Sequence, residues 1–529
     1  MKKAFSLLFV SAIFFSLLTG CNSSSITSTS GGSGGGNQTA TTVPVSLTMT
    51  DDPPSGVSVL FFQVSLTAAS LTPASGSAVS LVTTPIQVDV TQLQALSAFL
   101  GTANVPVGTY NSLSLTFANP QLVILNTSDQ SIASTCAIGS VCQLTPTLDN
   151  SATVVLSSSP FPVTIAAGSP LGFLIDFHLN TIIQSDLSVN LQAANGVTIG
   201  QVPPSAPSQP PPFGSLTGTV ENVSASANQF TLQTPWGKTF TIDTNSSTTF
   251  TDFPPLTCET VSCQCNPGSF ICLLAGQIVR VQVSSVETDG DLLAAQVTYI
   301  QASSQQTVVG TIVGIPPLPL PTGETIINLI LHQNPTASTG LPVGGIASVA
   351  VWAPGIAGET ATTYSIDADG FTIPSGYGFT SSSDLAVGQT VQVTVASGSV
   401  QTSSATTSDS GWGTPPHISF TASNLQLEPS QLTGSVSALG SSGFMLEYMS
   451  SPCWFGTVNC NIVALVPANV VATSQTTYQG FTPDDLSGVA VNDVVSVNGW
   501  FFPQNGEVNV ILPPTIVAQT VALHSGGWF

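Results

Sequence analysis

Gly218-Thr-Val-Glu-Asn-Val, Phe230-Thr-Leu-Gln, Phe240-Thr-Ile-Asp, Gly276-Gln-Ile-Val-Arg-Val-Gln-Val and Ala295-Gln-Val-Thr-Tyr299 are successive pieces of one stretch in which apolar and polar residues alternate. Period two turns one side of an extended chain toward a core and the other toward water, so the stretch predicts strands joined by turns. The phrase then returns twice. Gly310-Thr-Ile leads to Gly388-Gln389 and Val391-Gln-Val-Thr-Val, and Gly434-Ser-Val leads to Asn492-Asp493 and Val494-Val-Ser-Val. The opening glycine precedes the turn by 58 residues in the first and third copies and by 78 in the second. A near-fixed interval of this kind predicts one small β domain repeated three times.

A chain of 529 residues exceeds one hydrophobic core and divides into several domains. It carries four Lys plus Arg against 26 Asp plus Glu, while 42% of it is apolar. That apolar content excludes wholesale disorder and leaves Ser, Thr, Asn and Gln to supply most of the polar surface.

Lys2 and Lys3 precede an apolar run from Ala4 to Leu18, too short to span a membrane and laid out as a secretion signal, residues 1–20. Leu18-Thr-Gly-Cys21 resembles a bacterial lipobox, which implies cleavage before Cys21 and acylation of its new amino terminus. Asn22 after the cysteine is similar to diderm lipoproteins sorted to the outer membrane, so the expected location is the cell envelope, facing the exterior or periplasm. The Ser/Thr/Gly-rich residues up to 42 read as a flexible tether. Cleavage leaves only Lys238 and Arg280 as strong cations, two against 26 carboxylates, or a formal −24. Such a surface repels nucleic acid.

Residues 43–202 read as a β-sandwich. Val45 to Met49, Val57 to Leu66, Val79 to Val82, Ile86 to Val90, Leu113 to Phe117 and Leu122 to Leu125 carry strand patterns, and Leu171 to Leu179 and Ser188 to Ala193 complete the two sheets. Leu93, Leu96 and Leu100 share a helical face and predict one short helix. His178 alternates out of phase with Phe173, Ile175 and Phe177 and belongs on the opposite side of its strand. Leu47 with Asp51, Asp52 and Pro53, the Val-rich strand after Val57, and Pro106-Val-Gly-Thr-Tyr110 resemble an uncharacterised domain family of bacterial lipoproteins. The resemblance implies an extracellular β-sandwich and assigns no reaction. Residues 203–212 are a proline-rich spacer.

The three repeats occupy 213–302, 306–429 and 431–523, with 524–529 as a tail. Gly218, Val220, Phe230, Leu232, Gly237, Thr241, Ile242, Gly276 to Val281 and Leu292 to Val297 resemble a second uncharacterised lipoprotein-associated family, which implies small β-barrels of the oligonucleotide-binding shape. The expected fold class is therefore all-β, a sandwich followed by three related barrel-like domains. Barrels of this shape often hold single-stranded nucleic acid on basic grooves, and the acidic repeats argue against that use here.

Eight cysteines remain after Cys21: Cys136, Cys142, Cys258, Cys263, Cys265, Cys272, Cys453 and Cys460. An even, locally clustered set in an exported chain predicts disulfides. Cys136 with Cys142 and Cys453 with Cys460 would each close a short loop, and the four from 258 to 272 leave their pairing open. Their spacing lacks the paired Cys-x-x-Cys of zinc sites, and neither a metal nor another cofactor is expected.

The four histidines, His178, His332, His417 and His524, fall in different domains, and no Gly-x-Ser-x-Gly elbow or His-Glu-x-x-His motif accompanies them. Asp367-x-Asp369-Gly370 reads as a turn between strands 363–366 and 371–373, and Asp484-Asp485 as a surface pair. No catalytic residues are assigned. Trp454-Phe455 and Trp500-Phe501-Phe502 are the candidates for an exposed ligand-binding patch. Together these readings predict a non-enzymatic, lipid-anchored envelope protein that binds or scaffolds outside the cell. Its expected partners are the membrane through its lipid and an extracellular glycan or envelope protein. A carbohydrate-active or other hydrolytic surface lipoprotein whose carboxylates converge in space is one alternative. Self-assembly into homo-oligomers through lysine-free strand edges is another.

Overall fold

A computed structural model describes residues 42–52, 58–93, 98–126, 141–148, 151–184, 186–202, 214–235, 237–254, 268–302, 306–315, 323–333, 341, 343–368, 370–403, 417–450, 464–503 and 513–524. Nearly all of the regular secondary structure in these residues is strand. Among the described residues no helix is long and apolar enough to cross a membrane.

The first part stacks two sheets over a shared core. In one, β1 (Thr42–Asp52) lies between β5 (Ala98–Pro106), antiparallel, and β10 (Leu171–His178), parallel, with β11 (Val197–Val202) at the edge. In the other, the long strands β2 (Ser58–Pro73) and β6 (Gly108–Leu125) pair along their length. Beside them run β3 (Val79–Val82), β4 (Ile86–Asp89), β7 (Val141–Leu144), β8 (Thr153–Leu156) and β9 (Val163–Ile165). Alternation on β1 and β10 sends Leu47, Met49, Phe173 and Phe177 inward against Leu66, Leu115 and Phe117. Phe117 meets Phe177 edge-on at 5.3 Å, linking the sheets, and each such buried side chain contributes about 1.5–3 kcal/mol.

Three sequence expectations change here. Ser188 to Ala193 holds only isolated bridges at Val189 and then turns, so it is no sheet strand. Leu113–Phe117 and Leu122–Leu125 belong to one continuous strand. Among the described residues the helix expected from Leu93 to Leu100 does not appear: Val90–Leu93 forms a single 3₁₀ turn and Leu100 is inside β5. Both leucines are buried. Their shared "helical face" reflects two separate contacts with the same core.

The repeats share one pairing order. Repeat 1 comprises β12 (Ser215–Ser224), β13 (Gln229–Gln233), β14 (Thr239–Asp243), β15 (Thr249–Thr251), β16 (Gln277–Val286) and β17 (Leu292–Ala302). Pairing runs β12–β13–β14, crosses a parallel seam to β17, and returns through β16 to β12, with β15 parallel to β17.

Repeat 2 repeats this with β18 (Thr307–Gly314), β19 (Glu324–Gln333), β20 (Ile346–Trp352), β21 (Thr363–Ile366), β22 (Thr390–Val395) and β24 (His417–Glu428), and adds β23 (Gln401–Ser403). Repeat 3 does so with β25 (Ser430–Gly440), β26 (Gly443–Ser450), β27 (Ala464–Val471), β28 (Thr477–Gln479), β29 (Val494–Phe502) and β30 (Thr515–Leu523). The seam spans two, four and three residue pairs respectively, so the sheets range from near-barrel to small barrel.

The recurring residues have recurring physical jobs. A Cβ on Gly218, Gly310 or Gly434 would lie 2.4, 2.5 or 2.1 Å from a carbonyl oxygen of the adjacent strand, so only glycine permits that approach. Gly276, Gly388 and Asn492 all have φ between +74° and +95°. The next residue braces the preceding loop from its side chain. Gln277 Oε1 accepts from Leu274 N, Gln389 Oε1 from Ala386 N and Asp493 Oδ2 from Ala490 N, each at 2.7 Å. Asn-Asp in the third repeat therefore replaces Gly-Gln without loss of function in the turn. Thr248, Thr362 and Thr476 each donate to a carbonyl of the last strand, at 2.7, 2.8 and 2.7 Å.

Candidate functional site: an inter-domain cavity and its charged joins

The sandwich and all three repeats meet around a cavity of about 1560 Å³. The repeats place their strands so that one cross-strand row faces it twice. In repeat 1 the row is Ser215, Gln282, Gln296 and Thr249, on β12, β16, β17 and β15. In repeat 3 the equivalent row is Gln431, Asn498, Thr520 and Thr477, on β25, β29, β30 and β28. Adjacent strands bring such residues within contact of one another, and Thr477 Oγ1 lies 3.0 Å from Thr520 Oγ1. Phe99, Phe250 and Phe371 add apolar wall. Asn498 is 2% exposed, and its Oδ1 has no hydrogen-bond partner among the described residues.

The charged residues of the wall are engaged with one another. Arg280, from the Val-Arg-Val of repeat 1, donates through Nη2 to Glu428 Oε2 at 3.1 Å and has Asp367 Oδ2 3.7 Å from Nη1. Both carboxylate side chains are only 5% exposed and belong to repeat 2. Lys238, the other cation of the predicted mature chain, donates to Thr102 O of the sandwich at 3.4 Å and lies 4.7 Å from the Phe240 ring. Burial pushes its pKa below the usual lysine value.

His332, which no local motif singles out, meets an acidic and a hydroxyl partner from distant parts of the chain. Its Nδ1 lies 2.6 Å from Asp89 Oδ2, across from the sandwich, and its Nε2 lies 2.9 Å from Thr311 Oγ1. A carboxylate only accepts, so Nδ1–H donates to Asp89. Asp89 also accepts from Thr91 N and Oγ1. The order Asp–His–hydroxyl is that of a hydrolase relay. Thr311, however, is not in the cavity wall, and the arrangement works as a buried join between sandwich and repeat 2. Around it Phe61, Val123, Val141, Val313 and Ile330 form a small apolar cluster, and Gln143 Nε2 donates to Gly344 O at 2.6 Å.

Of the residues singled out in the sequence, Trp500, Phe501 and Phe502 do not form an exposed patch. Trp500 is fully buried, its Nε1 donates to Asp367 O at 2.7 Å, and its ring packs 4.8 Å from Phe371. Phe501 is in the core of repeat 3, while Phe502 packs on Tyr377 of repeat 2. The three aromatics point alternately into two cores and join them. Asp367 leads into the expected turn, closed by Phe371 N donating to Ala368 O at 2.6 Å, but not into a hairpin: strand 363–366 pairs parallel with β24, 371–373 is not a strand, and the carboxylate is buried beside Arg280.

Asp485 accepts from Ser487 N and Oγ and caps a 3₁₀ turn, which holds its carboxyl below the usual range. His178 lies off the core face, near Thr198 and Asp176. His524 Nε2 lies 2.7 Å from Ser496 Oγ. Cys142 and Cys272 are buried. Cys21, Cys136, Cys258, Cys263, Cys265, Cys453, Cys460, Trp454, Phe455 and Asp369 lie outside the described residues.

The fold's two sequence types are also recognised separately. Residues 42–196 match a domain of unknown function, DUF4382, and residues 217–298 match another, DUF5666. These two uncharacterised families occupy the amino-terminal and middle regions of the chain. No curated protein matches it.

Proposed function

We propose that this is a lipid-anchored envelope protein that holds a ligand outside the cytoplasm without converting it, and that the cavity is where the ligand sits. The observation carrying the reading is that all four folded parts contribute wall to one space of about 1560 Å³, above the ~300–1,000 Å³ usual for small-ligand pockets. In this reading Cys21 carries the lipid, the residues between it and β1 tether the folded part, and the repeats are small barrels of the oligonucleotide-binding shape turned to another use. In this reading Cys142 and Cys272 are disulfide-bonded, and such bonds persist in the oxidising compartments to which an exported chain goes.

Hydrogen exchange on the mature protein tests the binding role. Peptide, polysaccharide and small-molecule fractions of envelope and growth medium are added in turn. At least one should protect Gln277–Val286 and Thr515–Leu523. Absence of protection by every fraction refutes the binding role. Cys21→Ala should release the protein from the membrane fraction, and an unchanged distribution refutes the anchor.

A further inference from the structure

We infer that the cavity takes a neutral, hydroxyl-rich chain molecule, an uncharged oligosaccharide, a reading that rests on the cavity being the binding site. Glutamine makes up nine of the 44 wall residues against 31 of 529 in the whole chain, so the enrichment is not a by-product of a charge-poor sequence. A primary amide donates and accepts in one plane, and a hydroxyl does both from one atom. Rows of the two are matched to vicinal diols, which also donate and accept.

The geometry repeats this chemistry. Ser215, Gln282, Gln296 and Thr249 form one row, and the structurally equivalent Gln431, Asn498, Thr520 and Thr477 form another, both on the wall of the same cavity. Repeat 2 has its equivalent row at Thr307, Thr394, Asn424 and Thr363, none of which is in the wall. Two like rows on one cavity suit a ligand that is itself a repeating unit. The Asn498 side chain is 2% exposed and its Oδ1 has no partner among the described residues, an unmet hydrogen-bonding need beside the cavity. Phe250 and Phe371 supply apolar surface of the kind that packs on the C–H face of a sugar ring.

Charge sets the limit on the ligand. Arg280 is held by Glu428 and Asp367, and His332 by Asp89, so the wall presents carboxylates already engaged and no uncommitted cation among the described residues. A sulfated or uronic chain would bring negative charge into this field without compensation.

The test is calorimetry on the full mature protein with neutral hexasaccharides of glucose, xylose and N-acetylglucosamine, each α- or β-linked, and with hexagalacturonate as the anionic comparison. At least one neutral hexasaccharide should bind, and hexagalacturonate should not. Asn498→Leu and, separately, Gln282→Ala should each weaken that binding about tenfold, the loss of roughly one hydrogen bond. Gln282 is half-buried at a strand surface, so its variant should melt with the wild type and keeps the test valid if Asn498→Leu unfolds. Binding that survives Gln282→Ala in a folded protein, or a preference for hexagalacturonate, overturns the inference. If no neutral hexasaccharide binds while another fraction still protects the cavity strands from exchange, the ligand class is wrong and the binding role stands.

Discussion

Replacing Arg280 by methionine tests the claim that one guanidinium holds repeat 1 against repeat 2. The side chain is 24% exposed and its two partners 5% each. At an effective dielectric near 20, unit charges about 4 Å apart attract by roughly 4 kcal/mol before desolvation is subtracted. Removing one partner of such a buried pair costs about 3–5 kcal/mol, because the remaining charge is buried alone. Here two carboxylates, Glu428 and Asp367, are left together, so Arg280→Met should cost at least about 3 kcal/mol. If the repeats melt as a block of about 200 residues, that lowers the first calorimetric transition by roughly 6–12 °C.

The electrostatic origin is separated from lost packing by Glu428→Gln. Alone it destabilises. In the Arg280→Met background it should recover a third or more of the loss, since it removes one of two uncompensated charges, giving a coupling of about 1–3 kcal/mol in a double-mutant cycle. Melting of Arg280→Met within 2 °C of wild type, or additive effects in the cycle, would refute the reasoning.

Gly434→Ala places a methyl 2.1 Å from Glu447 O; the strand must shift, and denaturant titration should show a loss of about 1–3 kcal/mol, whereas Gly237→Ala, where no atom lies within 4 Å, pays only for its φ of +84°. Trp500→Ala empties a site shared by two cores and should cost about 3–5 kcal/mol, read as earlier melting of repeats 2 and 3 together. Burial first, then Asp243, Asp289 and Asp291, raises the pKa of Glu287 above its ordinary 4.5. The folded state therefore favours the protonated acid: its contribution is present below pH 4.5 and is lost as pH rises through the raised value. Glu287→Gln should accordingly raise the melting temperature at pH 7 and leave it unchanged at pH 3.5, and an equal effect at both would count against this cause.

The repeats were legible because each of their signals is local. Gly434, Asn492 and the Val-x-Val strands announce a backbone approach, a left-handed residue and a buried face within a few positions of one another. The same local reading failed wherever a residue answers to a distant partner. Trp500-Phe501-Phe502 looks like a surface patch when repeat 3 is taken alone, since three adjacent aromatics cannot all face one core. In the structure Phe371 and Tyr377, more than a hundred positions earlier, receive two of them. Asp367 failed likewise, because its partner Arg280 belongs to another repeat.

The central site was hidden for the same reason, with one usable clue. In a chain holding two strong cations after its predicted cleavage, a guanidinium in the middle of Val279-Arg-Val is expensive to place and must meet carboxylates somewhere; Arg280 and Lys238 both mark joins between domains. Arg280, which is also in the cavity wall, marks one edge of that space. The rows that line it would still have escaped, because threonine and glutamine on the outward side of a strand look the same whether that side meets water or a neighbouring repeat. Only the packing of repeats 1 and 3 around one space distinguishes Gln282 and Asn498 from Thr394, which occupies the same position in repeat 2 and is not in the wall. Exchanging Gln282 or Asn498 for the residue of repeat 2 therefore alters the cavity wall without altering the fold's own pattern, which makes the two rows separable from the scaffold that carries them.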